Sequence, residues 1–452
     1  MATITESFAA VATEMHFGDL PQVVVSQAKR ALLDLAGVAM AGAAMPFPRI
    51  VCDYFCRCGG RGEATVVGQR GRVPAVNAAL TNGVCSHALD MDDGHRYASG
   101  HPGTAIIPAA LAAGEMVEGK GRDLLLGIVM GYQVFVRLAA AINPSHLNRG
   151  FHTTGTVGPL GAAAAAGAIL GLGRKEMAWA LGLAGLQGAG LLEIVADGQM
   201  AKPLQSGRAA SAGLLAALLA QRGAQGPLTV LEGEKGFLRA MTDHVDSAFL
   251  NWGNDWEIGR TYIKLYAACR HVHSAIDATR ELCRRHSINH QLVDSISVGT
   301  YSVADQLTGS IYKPDSVSAA KFSLPFAVAL AMVRGGAGVD QFSEESIRDE
   351  SILRLAQKVT VVVNAEMEKR YPGERGANLE IRTRGGGVYR HTVLLPRGEP
   401  ENPASDADVE AKFYANARFA GCPEDRARAI LGCISALEER NVCQLTELLV
   451  WD

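Results

Sequence analysis

The chain has 452 residues, more than one hydrophobic core usually organises, so two domains are expected with the boundary inside the chain. Its 43 Lys and Arg nearly balance 46 Asp and Glu, for a formal net charge of −3, and neither sign gathers into a long block. That balance argues against nucleic acid and anionic membranes as partners and leaves a small molecule as the expected ligand.

The opening residues, MATITESFAAVATEMHF, lack a basic stretch followed by an apolar one, and the longest apolar runs read as Ala/Gly-rich segments too short for about 30 Å of hydrocarbon. A cytoplasmic protein is expected. Up to residue 262 the sequence reads as helix after helix, with apolar residues at three- and four-residue spacing over 24–43, 104–117, 121–142, 157–172 and 208–222. Gly-, Pro- and Asp-containing breaks such as GHPG and NPSHLNRGFHTTG separate them. The nine cysteines follow no disulfide framework, so reduced thiols are expected. The triplet Cys52, Cys56, Cys58 matches no common metal-ligand spacing and is expected to pack on a helix.

After Trp256 the pattern changes. Residues 293–301 and 358–363 read as strands and 378–395 as a hairpin turning at Gly385 to Gly387, with helical patterns at 270–286, 318–334 and 344–357 between them. These form an α+β unit with a small antiparallel sheet. Beyond Pro396 the helices resume at 406–417 and 423–438. The fold class is therefore mainly α: a large all-helical domain made of 1–262 and 396–452, with a smaller α+β domain inserted at 263–395.

Four segments concentrate chemistry. The densest is HALDMDDGHRYASGHPG, residues 87–103, which holds His87, Asp90, Asp92, Asp93, His95 and His101. On a continuing helix Asp90 and Asp93 share a face with His87 while Asp92 points elsewhere. A carboxylate–imidazole acid–base site is preferred over a hard-cation site, and the EF-hand pattern fails because Gly94 falls one position early. A solvated loop is the bland alternative. Pro102 holds His101 in an extended conformation outside the following helix.

In RGFHTTGTVG, His152 precedes a helix whose N–H groups and dipole favour anions and discourage imidazolium. A Thr cap alone would explain the segment equally well. In MAKPLQSGRAA, Lys202 and Arg208 offer positive charge to an anionic ligand, and a partly buried lysine would titrate low, although a surface lysine is the simpler reading. In YAACRHVHSAIDA, His271 and His273 stand two apart, on opposite faces of a helix but on one face of a strand, so only one is expected to serve a site. An H-x-H pair suits zinc, yet no companion pair stands nearby. Asp277 is placed to orient His273 one turn away.

Together, HALDMDDGH…GHPG, RGFHTTGTVG, KPLQSGRAASAG…LAQRGAQGP…LEGEKGF, CRHVHSAIDA and KPDS…AKFSLPFAVA resemble the ordered motif series of the MmgE/PrpD family. The resemblance runs along nearly the whole chain. It implies a helical domain with an inserted α+β lid, a homodimer, a site between the domains, and acid–base chemistry on a small polycarboxylate without metal or organic cofactor. Members of the family act as 2-methylcitrate dehydratase, cis-aconitate decarboxylase and iminodisuccinate epimerase.

The resemblance carries catalytic positions onto Asp90, His101, His152, Lys202 and His273, and a lid tyrosine onto either Tyr301 or Tyr312. Arg208 and His271 complete the expected substrate contacts, and no metal ligand is expected. Proton removal beside a carboxylate needs positive charge at the carboxylate, from Lys202, His152 and Arg208, and a neutral base, His101 or His273, oriented by Asp90. Two departures matter: Gly94 stands where the decarboxylases have Thr, and Gln205 where close relatives often have His. The leading expectation is a hydro-lyase acting on a 2-methylcitrate-like substrate. An epimerase comes next, then a decarboxylase. A non-catalytic carboxylate-binding protein and a metal-dependent hydrolase are answers of a different class.

Overall fold

A computed structural model describes residues 2–195, 200–253 and 255–451. The chain is 59 % helical and 9 % strand, a mainly α fold. It divides into two compact units: Met1–Ala88 with Asp92–Tyr262 and Val409–Asp452, and Leu89–Met91 with Ile263–Asp408.

In the first unit the helices Gln22–Ala43, Ala75–His87, Pro102–Met116, Gly121–Ile142, Thr153–Ile169 and Pro203–Gln221 form the core. Their Ala and Gly content is used for backbone approach. A Cβ on Gly83 would lie 2.8 Å from the Gly207 Cα, so Ala75–His87 and Pro203–Gln221 meet with nothing between them. This closeness brings helix ends together. His101, His152 and Lys202 each immediately precede a helix, those beginning at Pro102, Thr153 and Pro203. The three N-termini touch: the His101 N–H donates to Thr154 Oγ1 at 3.1 Å, and Thr104 Oγ1 to Ser206 Oγ at 3.2 Å.

The returning helix Asp406–Phe419 is tied to the first unit by Lys412, whose ammonium lies 2.5 Å from the buried Asp34 carboxylate on Gln22–Ala43. A two-stranded antiparallel ribbon, β1 Ala64–Thr65 and β2 Arg72–Val73, completes the unit. Gly121–Ile142 is long and apolar enough to cross a membrane, which corrects the expectation that no stretch is. Its most apolar window is 94 % buried inside the protein, so packing accounts for its composition. All nine cysteines are free thiols; Cys56 and Cys58 are exposed, and only Cys52 of the triplet packs inside.

The second unit carries a four-stranded sheet of β3 Val293–Thr300, β4 Val359–Val363, β5 Ala377–Thr383 and β6 Val388–Val393, in the order β4-β3-β5-β6. β5 and β6 form the expected hairpin, but the expected antiparallel sheet is corrected at one edge. β4 runs parallel to β3, with Ile296 opposite Val359. The chain between them is a long, largely helical crossover, which returns a strand in the same direction. The helix expected over 318–334 is interrupted before Ser323, whose hydroxyl caps a new helix, Leu324–Arg334, with Pro325 in its first turn. The unit runs to Asp408 and not to 395, because the segment after Pro396 is held inside it. Arg270 donates to Glu399 at 2.8 and 3.0 Å, and the Ile263 N–H donates to the Gly398 carbonyl at 3.0 Å.

Candidate active site

The helix Ala75–His87 ends at His87, and the chain then reverses through Asp90, which has a left-handed φ of 51°. Reckoning by helical spacing therefore fails beyond His87. Asp92, expected to point away, folds back so that the His87 Nδ1–H donates to Oδ1 at 3.0 Å and Oδ2 at 3.1 Å. The His101 Nδ1–H donates to Asp92 Oδ2 at 2.8 Å and to the Asp93 carbonyl at 2.7 Å. The carboxylate that orients imidazoles is thus Asp92, which corrects the expectation placed on Asp90.

Because both Nδ1 atoms face only acceptors, they must carry protons, so in the neutral ring the lone pair lies on Nε2. His152 is fixed the same way. Its Nδ1–H donates to Gln205 Oε1 at 2.5 Å, and the Gln205 amide is oriented by donating its own N–H to the Leu191 carbonyl at 2.9 Å. The His87 ring lies 4.7 Å from His101 and 5.9 Å from His152 by centroid. So His101, His152 and Lys202 come together in the first unit, joined by His87, Asp92 and Gln205.

Burial would raise the Asp92 pKa, but His87 and His101 outweigh it and hold the carboxyl well below its usual range. Burial lowers His87 to about 4, with the Lys202 charge adding to the effect and Asp92 opposing it. Burial, then Lys202, holds His152 well below the ordinary value. Both imidazoles are neutral at pH 7 as a result. Donor atoms of His87, Asp92 and His101 lie within 4.8 Å of one another, close enough for a metal ion. Both Nδ1–H groups are engaged with Asp92, so a cation bound through Nδ1 would have to displace two protons, whereas one bound through Nε2 would displace none.

Asp93 is buried, accepts from the Gly103 N–H at 3.1 Å and the Tyr132 hydroxyl at 2.8 Å, and is raised to about 7 by burial and by Asp92. A carboxyl with a folded pKa above its unfolded value of about 4 contributes stability that is complete below about pH 4 and lost as pH rises through about 7. Asp93→Asn keeps an acceptor for Gly103 and cannot ionise. Its stability relative to the natural protein should climb across that window, by about 2–4 kcal/mol in total. Urea melts at a series of pH values measure this, and a pH-independent difference would show that Asp93 is ionised throughout.

The other expected residues, Arg208 apart, fall in the second unit. Asp90 accepts from Lys264 Nζ, at 2.8 Å to its carbonyl and 3.1 Å to Oδ1. Lys321 donates to the Leu89 carbonyl at 3.3 Å, and burial lowers it to about 8 against the pull of Asp90. Neither lysine stood out in the sequence, because an isolated Lys reads as surface; Lys264 is 1 % exposed.

His273 is 0 % exposed, and its ring is used within the unit. Nδ1 accepts from Arg270 at 3.0 Å, and Nε2–H donates to the Ala268 carbonyl at 3.1 Å. Both ring nitrogens of this expected acid or base are thus engaged inside the unit. Asp277 does not orient it, accepting from the Tyr266 hydroxyl at 2.5 Å and the Arg397 N–H at 2.8 Å instead. His271, half-buried in the turn before the helix His273–His286, pairs through Nδ1 with the Tyr301 hydroxyl at 2.5 Å and is lowered to about 3 by burial, then by Arg375. Of the two candidate tyrosines Tyr301 is thus the one that pairs with His271, and Tyr312 has no hydrogen bond among the described residues. Arg208 donates through Nη2 to the Gln187 carbonyl.

Comparison with known proteins places a domain border between residues 250 and 266, near the border between the units after Tyr262, whereas the second domain match runs on past Asp408. The MmgE/PrpD N-terminal domain matches residues 6–250 and the MmgE/PrpD C-terminal domain matches residues 266–438. The chain is 28 % identical over 471 residues to a cis-aconitate decarboxylase of Aspergillus terreus, covering 99 % of this chain and 96 % of that protein. It is 28 % identical over 468 residues to the human cis-aconitate decarboxylase, covering 99 % and 95 %. It is 27 % identical over 432 residues to the cis-aconitate decarboxylase-like protein oryM of Aspergillus oryzae, covering 89 % and 88 %. With both domain models matched in order over most of its length, the chain belongs to the MmgE/PrpD family.

Proposed function

We propose that the protein is a homodimeric, cofactor-independent lyase that dehydrates a small hydroxy-polycarboxylate of the 2-methylcitrate kind by acid–base chemistry. One observation carries the reading: a carboxylate, Asp92, holds the His101 imidazole with its Nε2 lone pair available, close to the Lys202 ammonium and helix N-termini. Proton removal beside a carboxylate builds a dianionic enolate-like state, which Lys202 and the N-terminal N–H groups stabilise. His101 takes the carbon-bound proton on Nε2, and Asp92 stabilises the imidazolium. His87 and His152 are held neutral and have no proton to give, so His101 returns the same proton to the departing hydroxyl. The C–H and C–O bonds break, the C=C bond forms, water leaves, and His101 ends neutral.

Decarboxylation is the second reading, favoured by the names of the relatives. Against it stands Gly94, where the decarboxylases are expected to carry Thr. A Cβ at Gly94 would collide with the Tyr262 phenol, so Tyr262 fills the space a threonine would need.

Proton NMR in D2O over citrate, 2-methylcitrate, cis-aconitate and iminodisuccinate analogues tests the proposal. Alkene signals from a hydroxy acid are expected. Loss of carbon dioxide from cis-aconitate would put the decarboxylase in its place, and deuterium in recovered substrate without alkene would make the enzyme an epimerase. With the substrate in hand, Lys202→Ala should raise KM and lower kcat together, reducing kcat/KM by about 10- to 100-fold, the worth of one charged hydrogen bond.

A further inference from the structure

His87 has no part in the chemistry just described, yet it holds the least explained atom of the site. Its Nε2 is buried and has no hydrogen-bond partner among the described residues, and the same is true of His152 Nε2. Both nitrogens are lone pairs, because each ring has its proton on Nδ1. The two rings are nearly parallel, 20° apart with centroids at 5.9 Å. An unsatisfied buried acceptor costs about 1–3 kcal/mol, and a fold retains such atoms where something else supplies the missing partner.

The bound carboxylates of a polycarboxylate cannot be that partner. Ionised carboxylates only accept hydrogen bonds, and they would face further acceptors. The missing group is a donor. The cluster opens outward at His101, whose side chain is 14 % exposed, and at the half-buried Lys202, and the His87 ring lies one step further in, its centroid 4.7 Å from that of His101.

We infer that His87 reads the substrate: its Nε2, with that of His152, accepts a hydrogen bond from a hydroxyl or N–H group of the ligand, which makes a donor-bearing polycarboxylate the preferred class over one without a donor. The inference rests on the polycarboxylate reading above. Asp92 thereby serves two imidazoles for two purposes, presenting His101 to a C–H bond and His87 to a polar hydrogen. Sites built around a substrate donor discriminate strongly against analogues that lack it, because the protein's acceptor is then left buried and unpaired.

Citrate and tricarballylate share a carbon skeleton and three carboxylates and differ by one hydroxyl, so calorimetric titration of the full chain with each isolates the effect. Citrate should bind at least about 10-fold more tightly. His87→Leu should bring the two affinities together by weakening citrate alone. The comparison on the natural protein needs no variant, so it stands even if His87→Leu fails to fold. Equal affinities overturn the inference while leaving the polycarboxylate reading intact, and failure of both to bind overturns both. Stoichiometric zinc in the purified protein, lost in His87→Leu, also overturns it, since the lone pairs would then be metal ligands.

Discussion

Asp92→Asn should lower kcat by about 10^4-fold in a protein that remains folded. The carboxylate accepts from His87 and His101 at once, and both hydrogen bonds need an acceptor. A carboxamide offers one oxygen and one NH2 group. Whichever ring faces the NH2 must give up its Nδ1 proton and move it to Nε2, so that it presents an N–H where a lone pair is required. If that ring is His101, the base is lost outright. If it is His87, the base survives but its imidazolium no longer has an anion beside it. Replacement of the aspartate in a catalytic triad by asparagine acts through the same change of tautomer, and its scale is the one adopted here. The fold should tolerate the change, because it removes a buried charge without altering volume. Circular dichroism and a thermal melt establish the fold, and kcat under saturating substrate measures the effect. A loss smaller than about 10-fold would mean that Asp92 is a structural carboxylate and that the base lies elsewhere.

The role of Asp92 also marks where sequence reasoning stopped. The Ala- and Gly-rich helices were readable because 3.6-residue periodicity survives in isolated segments, and the change of pattern near Tyr262 coincides with the border between the two units. The direction of β4 was not readable. Parallel and antiparallel partners use the same β-branched residues, and only the route of the intervening chain decides between them. At the site, the positions of His101, His152 and Lys202 before helices were visible in GHPG, FHTTG and AKPL. The identity of the orienting carboxylate was not, because it depends on a left-handed residue at Asp90, a conformation uncommon for any residue but glycine. Lys264 and Lys321 were missed for a related reason: burial of a lysine is decided by partners distant in sequence, here Asp90 and the Leu89 carbonyl. The bond from Arg208 to the Gln187 carbonyl was equally unreadable, since nothing in the sequence says which backbone carbonyl a long cationic side chain will reach.

His101→Gln and His273→Gln should separate the two histidines that the sequence left equivalent. His101 keeps part of its side chain exposed and has only Nδ1 engaged, so its Nε2 is available for proton transfer. Glutamine has no basic nitrogen. Losing general-base catalysis should lower kcat by about 10^3-fold, with KM little changed and the thermal midpoint preserved. In His273 both ring nitrogens are committed, to Arg270 and to the Ala268 carbonyl, and Arg270 is in turn bound to Glu399. Glutamine at 273 offers one donor and one acceptor but on a different skeleton, so the network should loosen, at a cost of about 1–3 kcal/mol in stability. Its kcat should fall far less than that of His101→Gln, and its pH–rate profile should keep the limb that reports the base. The opposite pattern, an undisturbed melt with kcat as low as in His101→Gln, would return proton transfer to His273. The reason to expect otherwise is geometric: a nitrogen already holding a hydrogen bond inside its own domain must break that bond before it can take a proton from a substrate.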